Sequence, residues 1–249
     1  MNSPAEALVH ENELQNEHAQ ELNLPIILAG YSGSGKDTVS NSATKVADSM
    51  DSRHNFHHSR SRYTDRARRP SEIQGVNGFF VSPEEFDARK EGGEFFYDYQ
   101  KQAYGGVRYG FSRFILNREL QNRHTFVVGG EIDTSLELKN ALDEVAMKAR
   151  GKMEKTLHPL IVFVNRPMEK IVNGIKMRGA SEEEKKKRIA HVEQHWERYP
   201  KVLEQAGDQA RMIWNVDLDV AARQVIQFVE TEVARQMQEI YGSKAAKKK

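Results

Sequence analysis

The sequence of 249 residues contains no cysteine, which excludes disulfide bonds, thiolate zinc sites and a cysteine nucleophile. It also lacks a long apolar run, since segments such as 160–164 fall far short of the roughly 18–20 residues that cross a bilayer. Neither sign of charge dominates, because 37 Lys and Arg stand against 36 Asp and Glu. This balance argues against a general nucleic-acid surface. We expect a cytoplasmic globular protein that binds neither nucleic acid nor a membrane.

The two ends of the chain differ in composition from the rest. Residues 1–23 contain no Lys or Arg and no apolar segment, so they resemble neither a signal peptide nor a transit peptide. We expect a disordered or helical acidic tail over 1–23 and a basic tail over 242–249. The chain between the tails is long enough to bury a substantial hydrophobic core.

Apolar runs and amphipathic stretches alternate between the tails. Short apolar runs predict buried strands, and apolar residues at helical spacing predict helices. The predicted strands lie at 24–29, 125–132, 160–164 and 212–216, and the predicted helices at 36–50, 168–175 and 225–237. Strands separated by helices indicate a parallel sheet with right-handed crossovers.

Two segments interrupt this alternation, and each is typical of an insertion around a site. Residues 56–112 are rich in arginine, glycine and aromatic residues. Their one predicted helix, 82–90, begins with Ser82 as N-cap and Pro83 at the first helical position. Residues 178–190 are highly charged, as a solvated helix also would be.

A glycine-rich segment, Gly-Tyr-Ser-Gly-Ser-Gly-Lys-Asp-Thr, joins the first predicted strand to the first predicted helix. Glycines let successive backbone N–H groups converge on phosphate oxygens, and the helix N-terminus adds its dipole. A lysine in such a loop reaches the β- and γ-phosphates. The competing interpretation is a glycine-rich turn without a ligand. The predicted ATP-binding residues are Gly30, Tyr31, Ser32, Gly33, Ser34, Gly35, Lys36, Asp37 and Thr38.

Asp37 occupies the position where loops of this kind usually carry Ser or Thr, whose hydroxyl binds Mg²⁺. A carboxylate also binds Mg²⁺, directly or through water. Asp37 is therefore a candidate metal ligand. The alternative is that it only stabilises the first turn of the helix.

Five arginines lie within residues 60–69, a density that suits bidentate binding of a phosphate dianion. An RNA-binding patch is the competing interpretation, and the even charge balance argues against it. Glu131 and Asp133 follow the second predicted strand. Carboxylates at the C-terminal edge of a parallel sheet face the ligand crevice.

The order of these motifs resembles that of the guanylate kinase family over about residues 24–236. Beyond the glycine loop, the matching segments are Arg-x-x-Arg-Pro-x-Glu at 66–72, the segment 75–86, Tyr109-Gly110, Glu131-Ile132-Asp133, Arg178-Gly179 with Arg188, and 215–219. The resemblance implies a three-layer α/β P-loop kinase with a parallel sheet core, an acceptor-binding insertion and a mobile lid. The implied divisions are core parts at 24–60, 114–177 and 191–241, the insertion at 61–113 and the lid at 178–190.

The resemblance also implies a reaction: ATP- and Mg²⁺-dependent transfer of the γ-phosphoryl group to the phosphate of a nucleoside monophosphate, foremost GMP or dGMP. Lys36, Arg178 and Arg188 would then neutralise charge on the transferring group. Asn215 would lie near the adenine, and Asp37 and Asp133 near Mg²⁺.

The acceptor phosphate would be held by Arg66, Arg69 and Tyr109, with Glu72 in the same motif and Glu131 and Asp133 nearby. The sequence departs from the family where the base is read. In the simplest register the family's guanine contacts, a hydroxyl, a carboxylate and another hydroxyl, fall on Arg62, Tyr97 and Phe111, which cannot supply that set of groups. The adjacent Ser61, Asp98 and Ser112 are the predicted base contacts, and a family tyrosine that binds acceptor phosphate aligns with Gly78.

Two other functions stay open. The Gly-Lys-Asp start of the first helix and the Arg62-Tyr63-x-x-Arg66 run also resemble ribose 1,5-bisphosphate phosphokinase, which needs no base pocket. A catalytically dead guanylate-kinase-like binding module is a third possibility. Such modules tend to lose the loop lysine and lid arginines, whereas Lys36, Arg178 and Arg188 are all present here.

Overall fold

The computed structural model of the chain describes residues 24–49, 56–70, 72–101, 105–120, 124–128, 132–149, 157–177 and 179–242. The two tails expected at 1–23 and 242–249 lie outside these ranges, apart from Gly242. Across the described ranges no helix is both long and apolar enough to cross a membrane.

The core is a parallel five-stranded sheet in the order β2-β7-β1-β8-β9. Its strands are β1 (Pro25–Ala29), β2 (Phe56–His58), β7 (His124–Val128), β8 (Leu160–Asn165) and β9 (Ala210–Trp214). The central strand β1 pairs with β7 on one side and β8 on the other. All five residues of β1 are buried, as its apolar run predicts.

Helices cover both faces of this sheet and give the predicted three-layer arrangement. The helices in the described part of the chain are α1 (Lys36–Ser49), α2 (Pro83–Glu91), α3 (Arg113–Leu120), α4 (Ile132–Ala149), α5 (Met168–Lys176), α6 (Glu182–His195), α7 (Arg198–Ala206) and α8 (Leu218–Met237), and α2 is not among those that cover this sheet. Alternate residues of β1 face opposite layers. Ile26 and Leu28 pack with α1 and α8, whereas Ile27 and Ala29 pack in the cluster that includes residues of α4 to α7.

The predicted strand over 125–132 is wrong at its C-terminal end. β7 ends at Val128, and Ile132 begins α4. The side chain of Ile132 is buried beside Leu138 and Leu142 of the same helix. An apolar residue after a strand can therefore belong to the next helix, and periodicity over so few residues does not separate the two cases.

The arginine- and aromatic-rich segment forms a second sheet in the order β4-β3-β6-β5. Its strands are β3 (Arg62–Thr64), β4 (Phe79–Phe80), β5 (Phe95–Lys101) and β6 (Val107–Ser112). α2 begins as predicted, since Ser82 Oγ accepts the Glu85 N–H at 3.1 Å and Pro83 occupies the first turn. Phe86 of α2 packs with Tyr63 and Phe95 beneath this sheet.

A partly buried carboxylate on α3 joins the two sheets where β2 leads into β3. Glu119 accepts hydrogen bonds from Ser59 Oγ at 2.5 Å and from the Arg60 N–H at 2.9 Å, and His57 Nε2 lies 3.4 Å away. Burial would raise the pKa of Glu119, but these three groups hold the pKa below its ordinary value.

Glu119→Gln is expected to lower the free energy of unfolding by about 1–3 kcal/mol at pH 7. The NH₂ group of the glutamine would face hydrogen-bond donors such as Ser59 Oγ and the Arg60 N–H, which the carboxylate accepts. The unfolded carboxyl group binds its proton at a higher pH than the folded one. The stabilisation from Glu119 is therefore present above the ordinary carboxyl pKa of 4.5 and is lost as the pH falls below it. Urea unfolding of both proteins between pH 3 and pH 7 measures the difference, with the exposed Glu91→Gln as control. A difference that did not shrink at low pH would contradict the assignment.

Candidate active site

The glycine loop lies between β1 and α1, at the C-terminal edge of the parallel sheet. Gly30, Gly33 and Gly35 have φ angles of 152°, 95° and 84°, which L side chains rarely adopt. The Ser34 N–H donates to the Tyr31 carbonyl at 3.1 Å, which closes the turn. Such a loop turns successive amides toward a common centre next to a helix N-terminus, the arrangement that binds phosphate.

The ends of β8 and β9 pack closely around this loop. A Cβ atom on Gly30 would lie 2.4 Å from the Val164 carbonyl oxygen, and one on Gly35 would lie 2.4 Å from the amide nitrogen of Asn215. That nitrogen donates to the Ser34 carbonyl at 3.0 Å. Asn215, predicted to lie near the adenine, therefore also holds the loop itself.

Two further side chains position the loop: Arg166, which was not predicted, and Tyr31, which was predicted only as an ATP-binding residue of the loop. Arg166 follows β8, and its Nε donates to the Asn215 carbonyl at 3.1 Å. The Tyr31 side chain is buried, stacks on Trp196 at a ring distance of 5.9 Å, and donates from its hydroxyl to the His195 carbonyl. Tyr31 thus connects the loop to the C-terminal end of α6, although the two segments are far apart in sequence.

Lys36, Asp37 and Thr38 form the first turn of α1, and both Asp37 and Thr38 are exposed. The neighbouring His58 is partly buried, with its Nδ1 2.7 Å from Ser40 Oγ. Burial lowers the pKa of His58 to about 4, and the charge of Asp37 opposes this effect only in part. His58 is therefore neutral at pH 7 beside the exposed carboxylate of Asp37.

The predicted lid residue Arg178 lies outside the described residues. Arg188 lies on α6, where its largely buried side chain forms an ion pair with Glu184. Ser181 caps this helix, because its hydroxyl accepts the Glu184 N–H at 3.2 Å. α6 starts inside the predicted lid and continues beyond it to His195, so Arg188 is carried on a regular, capped helix.

The predicted phosphate-binding arginines lie beside one carboxylate on the second sheet. Arg66 forms a bidentate pair with Glu72, with N–O distances of 2.7 and 2.5 Å. The Arg69 N–H donates to Glu72 at 2.9 Å, while its guanidinium is 3.4 Å from the same carboxylate. Burial would raise the pKa of Glu72, but the Arg66 and Arg69 contacts lower it. The motif thus fixes the Arg66 guanidinium in one plane.

Tyr109 on β6 lies beside this cluster, since the positive charge of Arg66 acts on its hydroxyl. Its ring stacks on Tyr99 at 5.3 Å, and Lys101 Nζ lies 4.9 Å from the ring centre. Burial would raise the pKa of Tyr109, but the charges of Lys101, Arg66 and Arg62 lower it. The hydroxyl therefore lies in a strongly positive field. The structure brings together Arg66, Arg69, Glu72 and Tyr109, and their role in acceptor binding stays a prediction.

The other predicted acceptor residues lie apart from this cluster. Asp98 pairs with Gly110, so it faces away from Tyr109 and forms an ion pair with Lys90 at 2.6 Å. Ser61 and Ser112 are buried, and the Ser112 N–H donates to the Ser61 carbonyl at 2.7 Å. Their contact with a base stays a prediction, which this placement does not favour.

The face that carries Tyr109 instead displays residues that the sequence analysis set aside. Arg62 pairs with Phe111, and Phe111 pairs with Tyr97, so the three side chains share the face of Tyr109. The Tyr97 hydroxyl donates to Glu137 of α4 at 2.9 Å, which adds to the effect of burial in raising the pKa of Tyr97. This contact joins the second sheet to the core.

Two predicted carboxylates cannot be located against the cluster. Glu131 lies outside the described residues, and Asp133 lies in the first turn of α4 without a described side chain. Among the described side chains no three His, Asp or Glu residues form a group that could hold a metal. The metal assignments of Asp37 and Asp133 therefore stay predictions.

Comparison with known proteins identifies the family. The family model described as guanylate kinase matches residues 23–232. The chain belongs to the guanylate kinase family. It is 28% identical over 206 residues to the guanylate kinase of Salinibacter ruber, an alignment that covers 81% of this chain and 92% of that protein.

Other known proteins are also similar to this guanylate kinase family member. It is 31% identical over 124 residues to guanylate kinase from Streptococcus agalactiae serotype III, covering 50% of this chain and 55% of that protein. The crystal structure of guanylate kinase from Anaplasma phagocytophilum matches with a TM-score of 0.53 at 21% identity, covering 89% of this chain and 90% of the other. The fold is therefore that of the family, as the sequence predicted.

Proposed function

We propose that this protein transfers the γ-phosphoryl group of ATP to the phosphate of a nucleoside monophosphate, with GMP or dGMP as acceptor. One observation supports the proposal: a chain of the guanylate kinase family holds two separate groups of residues whose chemistry suits phosphate. One is the glycine loop with Lys36 beside β1, and the other is the cluster of Arg66, Arg69, Glu72 and Tyr109 on the second sheet.

The glycine loop is the proposed donor site. Its amides and Lys36 would hold the β- and γ-phosphates of ATP, and the dipole of α1 would add to their attraction. Asn215 would act near the adenine while its amide holds the Ser34 carbonyl. We assign Arg178 and Arg188 to the charge on the transferring group, with closure of segment 178–190 as the step that brings them in.

The second sheet, within segment 61–113, is the proposed acceptor site. Arg66 would bind the acceptor phosphate through donors that Glu72 holds in a fixed plane, and Arg69 and the Tyr109 hydroxyl would bind beside it. Phosphoryl transfer depends mainly on positioning and on cations around the phosphates. The two proposed sites would supply both requirements.

Mg²⁺ is the proposed metal cofactor, and the residues of the loop fit it. The exposed Asp37 carboxylate lies in the first turn of α1, and Mg²⁺ prefers oxygen ligands while keeping several waters. The buried Ser34 hydroxyl has no hydrogen-bond partner within the described part of the chain. When bound, Mg²⁺ neutralises charge on the phosphates. Asp37 and Asp133 are the residues we assign to it.

Asp37→Ala is expected to raise the Mg²⁺ concentration needed for half-maximal activity, while metal-free ATP binding changes little. Asp37→Ser is expected to restore much of the activity, because a hydroxyl is also an oxygen ligand. Initial rates over a Mg²⁺ titration, together with ATP binding in EDTA, measure both effects. An unchanged titration for Asp37→Ala would mean that Asp37 serves only the start of α1.

A small-molecule acceptor is part of the proposal, as is a cytoplasmic location. The balanced charge and the absence of cysteine fit both. Fractionation of cells that express the intact chain would test the location, and recovery in a membrane or secreted fraction would contradict it.

An acceptor panel tests the function directly. ADP release from ATP would be coupled to a spectroscopic assay with GMP, dGMP, AMP, UMP, dTMP and ribose 1,5-bisphosphate as acceptors. GMP or dGMP is expected to give the highest kcat/KM. Preference for ribose 1,5-bisphosphate would overturn the choice of acceptor. Tight ATP binding without turnover of any acceptor would indicate a binding module instead.

A further inference from the structure

Arg62 lies on the acceptor side of the second sheet, two residues before Thr64, which pairs directly with Tyr109. Residues i and i+2 of a strand share a face, so the Arg62 side chain and the Tyr109 side chain lie on the same surface. None of the functions assigned above uses Arg62.

The loop before β4 makes room for this side chain. Gly78 has a φ of 126°, and a Cβ atom there would lie 3.0 Å from the Arg62 carbonyl oxygen and 3.6 Å from Arg62 Nε. A larger residue at 78 would therefore press on the Arg62 backbone, and it would lie in van der Waals contact with Arg62 Nε. The Asn77 carbonyl accepts a hydrogen bond from Arg62 Nη2 at 2.9 Å. This contact holds one edge of the guanidinium in place.

The net positive charge of Arg66, Arg69 and Glu72 is too small to neutralise a phosphate monoester. Arg66 and Arg69 both contact Glu72, so two positive charges are offset by one negative charge. A phosphate monoester carries about −1.5 to −2 at pH 7, so this pair alone leaves it incompletely neutralised. Arg62 and Lys101 are the other cations whose charge acts on the Tyr109 hydroxyl.

We propose that Arg62 is a further ligand of the acceptor's phosphate group, binding it with Arg66 and the Tyr109 hydroxyl. This inference rests on the proposed acceptor site. The ligand chemistry is a phosphate monoester dianion on a small molecule. The competing role for an arginine at this position is to donate to the O6 and N7 atoms of a guanine ring. The side-chain contacts with the Gly78 loop and the shared field with Arg66 at Tyr109 favour the phosphate.

Binding of three ligands to the full-length protein separates the two roles. The ligands are GMP, which has base and phosphate, ribose 5-phosphate, which has no base, and guanosine, which has no phosphate. Calorimetry would measure GMP and ribose 5-phosphate, and competition against GMP would measure guanosine. The variants are Arg62→Ala and Arg62→Lys, with the exposed neighbour Arg60→Ala as matched control and Arg66→Lys as positive control. Thermal unfolding of each variant checks that it is folded.

Arg62→Ala is expected to weaken binding of both GMP and ribose 5-phosphate by about tenfold to a hundredfold, the loss of one charge-assisted hydrogen bond. Guanosine binding should stay within about twofold of wild type, since its phosphate is missing. The affinities of Arg62→Lys for GMP and ribose 5-phosphate should lie between those of wild type and Arg62→Ala, because lysine keeps the charge but lacks the planar guanidinium. Arg60→Ala should match wild type.

Three results would overturn the inference. Weaker binding of GMP and guanosine with unchanged ribose 5-phosphate would show that Arg62 contacts the base. Unchanged binding of all three would show that it contacts neither. If the folded wild-type protein bound neither GMP nor ribose 5-phosphate, the proposed acceptor site itself would be wrong. If wild type binds both ligands through Arg62 but turns over no acceptor in the panel, the proposed function fails while this inference stands.

Discussion

Lys36→Ala is expected to lower kcat for phosphoryl transfer by about a hundredfold to a thousandfold. Lys36 is the first residue of α1 and follows a loop whose three glycines have positive φ. Its compact charge acts where negative charge lies on the β- and γ-phosphates. Its removal takes away a preorganised cation from the transferring group, so kcat should fall more than ATP affinity. Single-turnover rates and ATP binding measure the two effects.

Lys45→Ala provides the matched control for this change. Lys45 is exposed on the same helix and plays no part in the proposed site. Both variants lose one lysine from α1, so they share any effect of total charge. Near wild-type turnover by Lys36→Ala would show that the loop does not bind the transferring phosphates. Equal loss in both variants would point to a general charge effect.

Much of the fold follows from local apolar patterns. β1 and β8 are short apolar runs buried on both sides, and α1 and α8 carry apolar residues at helical spacing. These patterns mark elements well because burial acts on each residue of the run. The predicted end of β7 was wrong because Ile132, although apolar, belongs to α4, where its side chain is buried in the core.

The resemblance to the guanylate kinase family implied the arginine–carboxylate motif, and its members are close in sequence. Arg66, Arg69 and Glu72 lie within one short turn, and their spacing is enough to bring them together. The role of Tyr31 was not predictable in this way. Its contacts with His195 and Trp196 depend on how α6 packs against the loop, which no local pattern encodes.

The choice between Ser61, Asp98 and Ser112 and their neighbours depended on strand register. A shift of one residue moves every side chain of a strand to the other face. Ser61, Asp98 and Ser112 lie one position from Arg62, Tyr97 and Phe111. They were chosen because their hydroxyl and carboxylate groups match the family's guanine contacts. The pairing of Arg62 with Phe111 and of Asp98 with Gly110 shows which residues share the face of Tyr109.

Gly30→Ala is expected to destabilise the protein by about 2–5 kcal/mol, because strain at a positive φ and a clash act together. A Cβ at this position would lie 2.4 Å from the Val164 carbonyl oxygen and 2.7 Å from Ser34 Oγ. The carbonyl belongs to β8, an interior strand that pairs with β1 and β9, so it cannot move away without disturbing the strand pairing. The melting temperature should fall by roughly 5–20 °C.

Gly93→Ala separates backbone strain from the clash. Gly93 has a φ of 71° and nothing within 4 Å of an added Cβ, so its substitution should cost only about 1–2 kcal/mol of backbone strain. ATP affinity should fall in the Gly30 variant and stay unchanged in the Gly93 variant, since only Gly30 shapes the phosphate loop. Differential scanning calorimetry with and without ATP measures both quantities. If the two variants lost equal stability and both kept ATP binding, the close packing of the loop against β8 would be refuted as the reason for glycine at position 30.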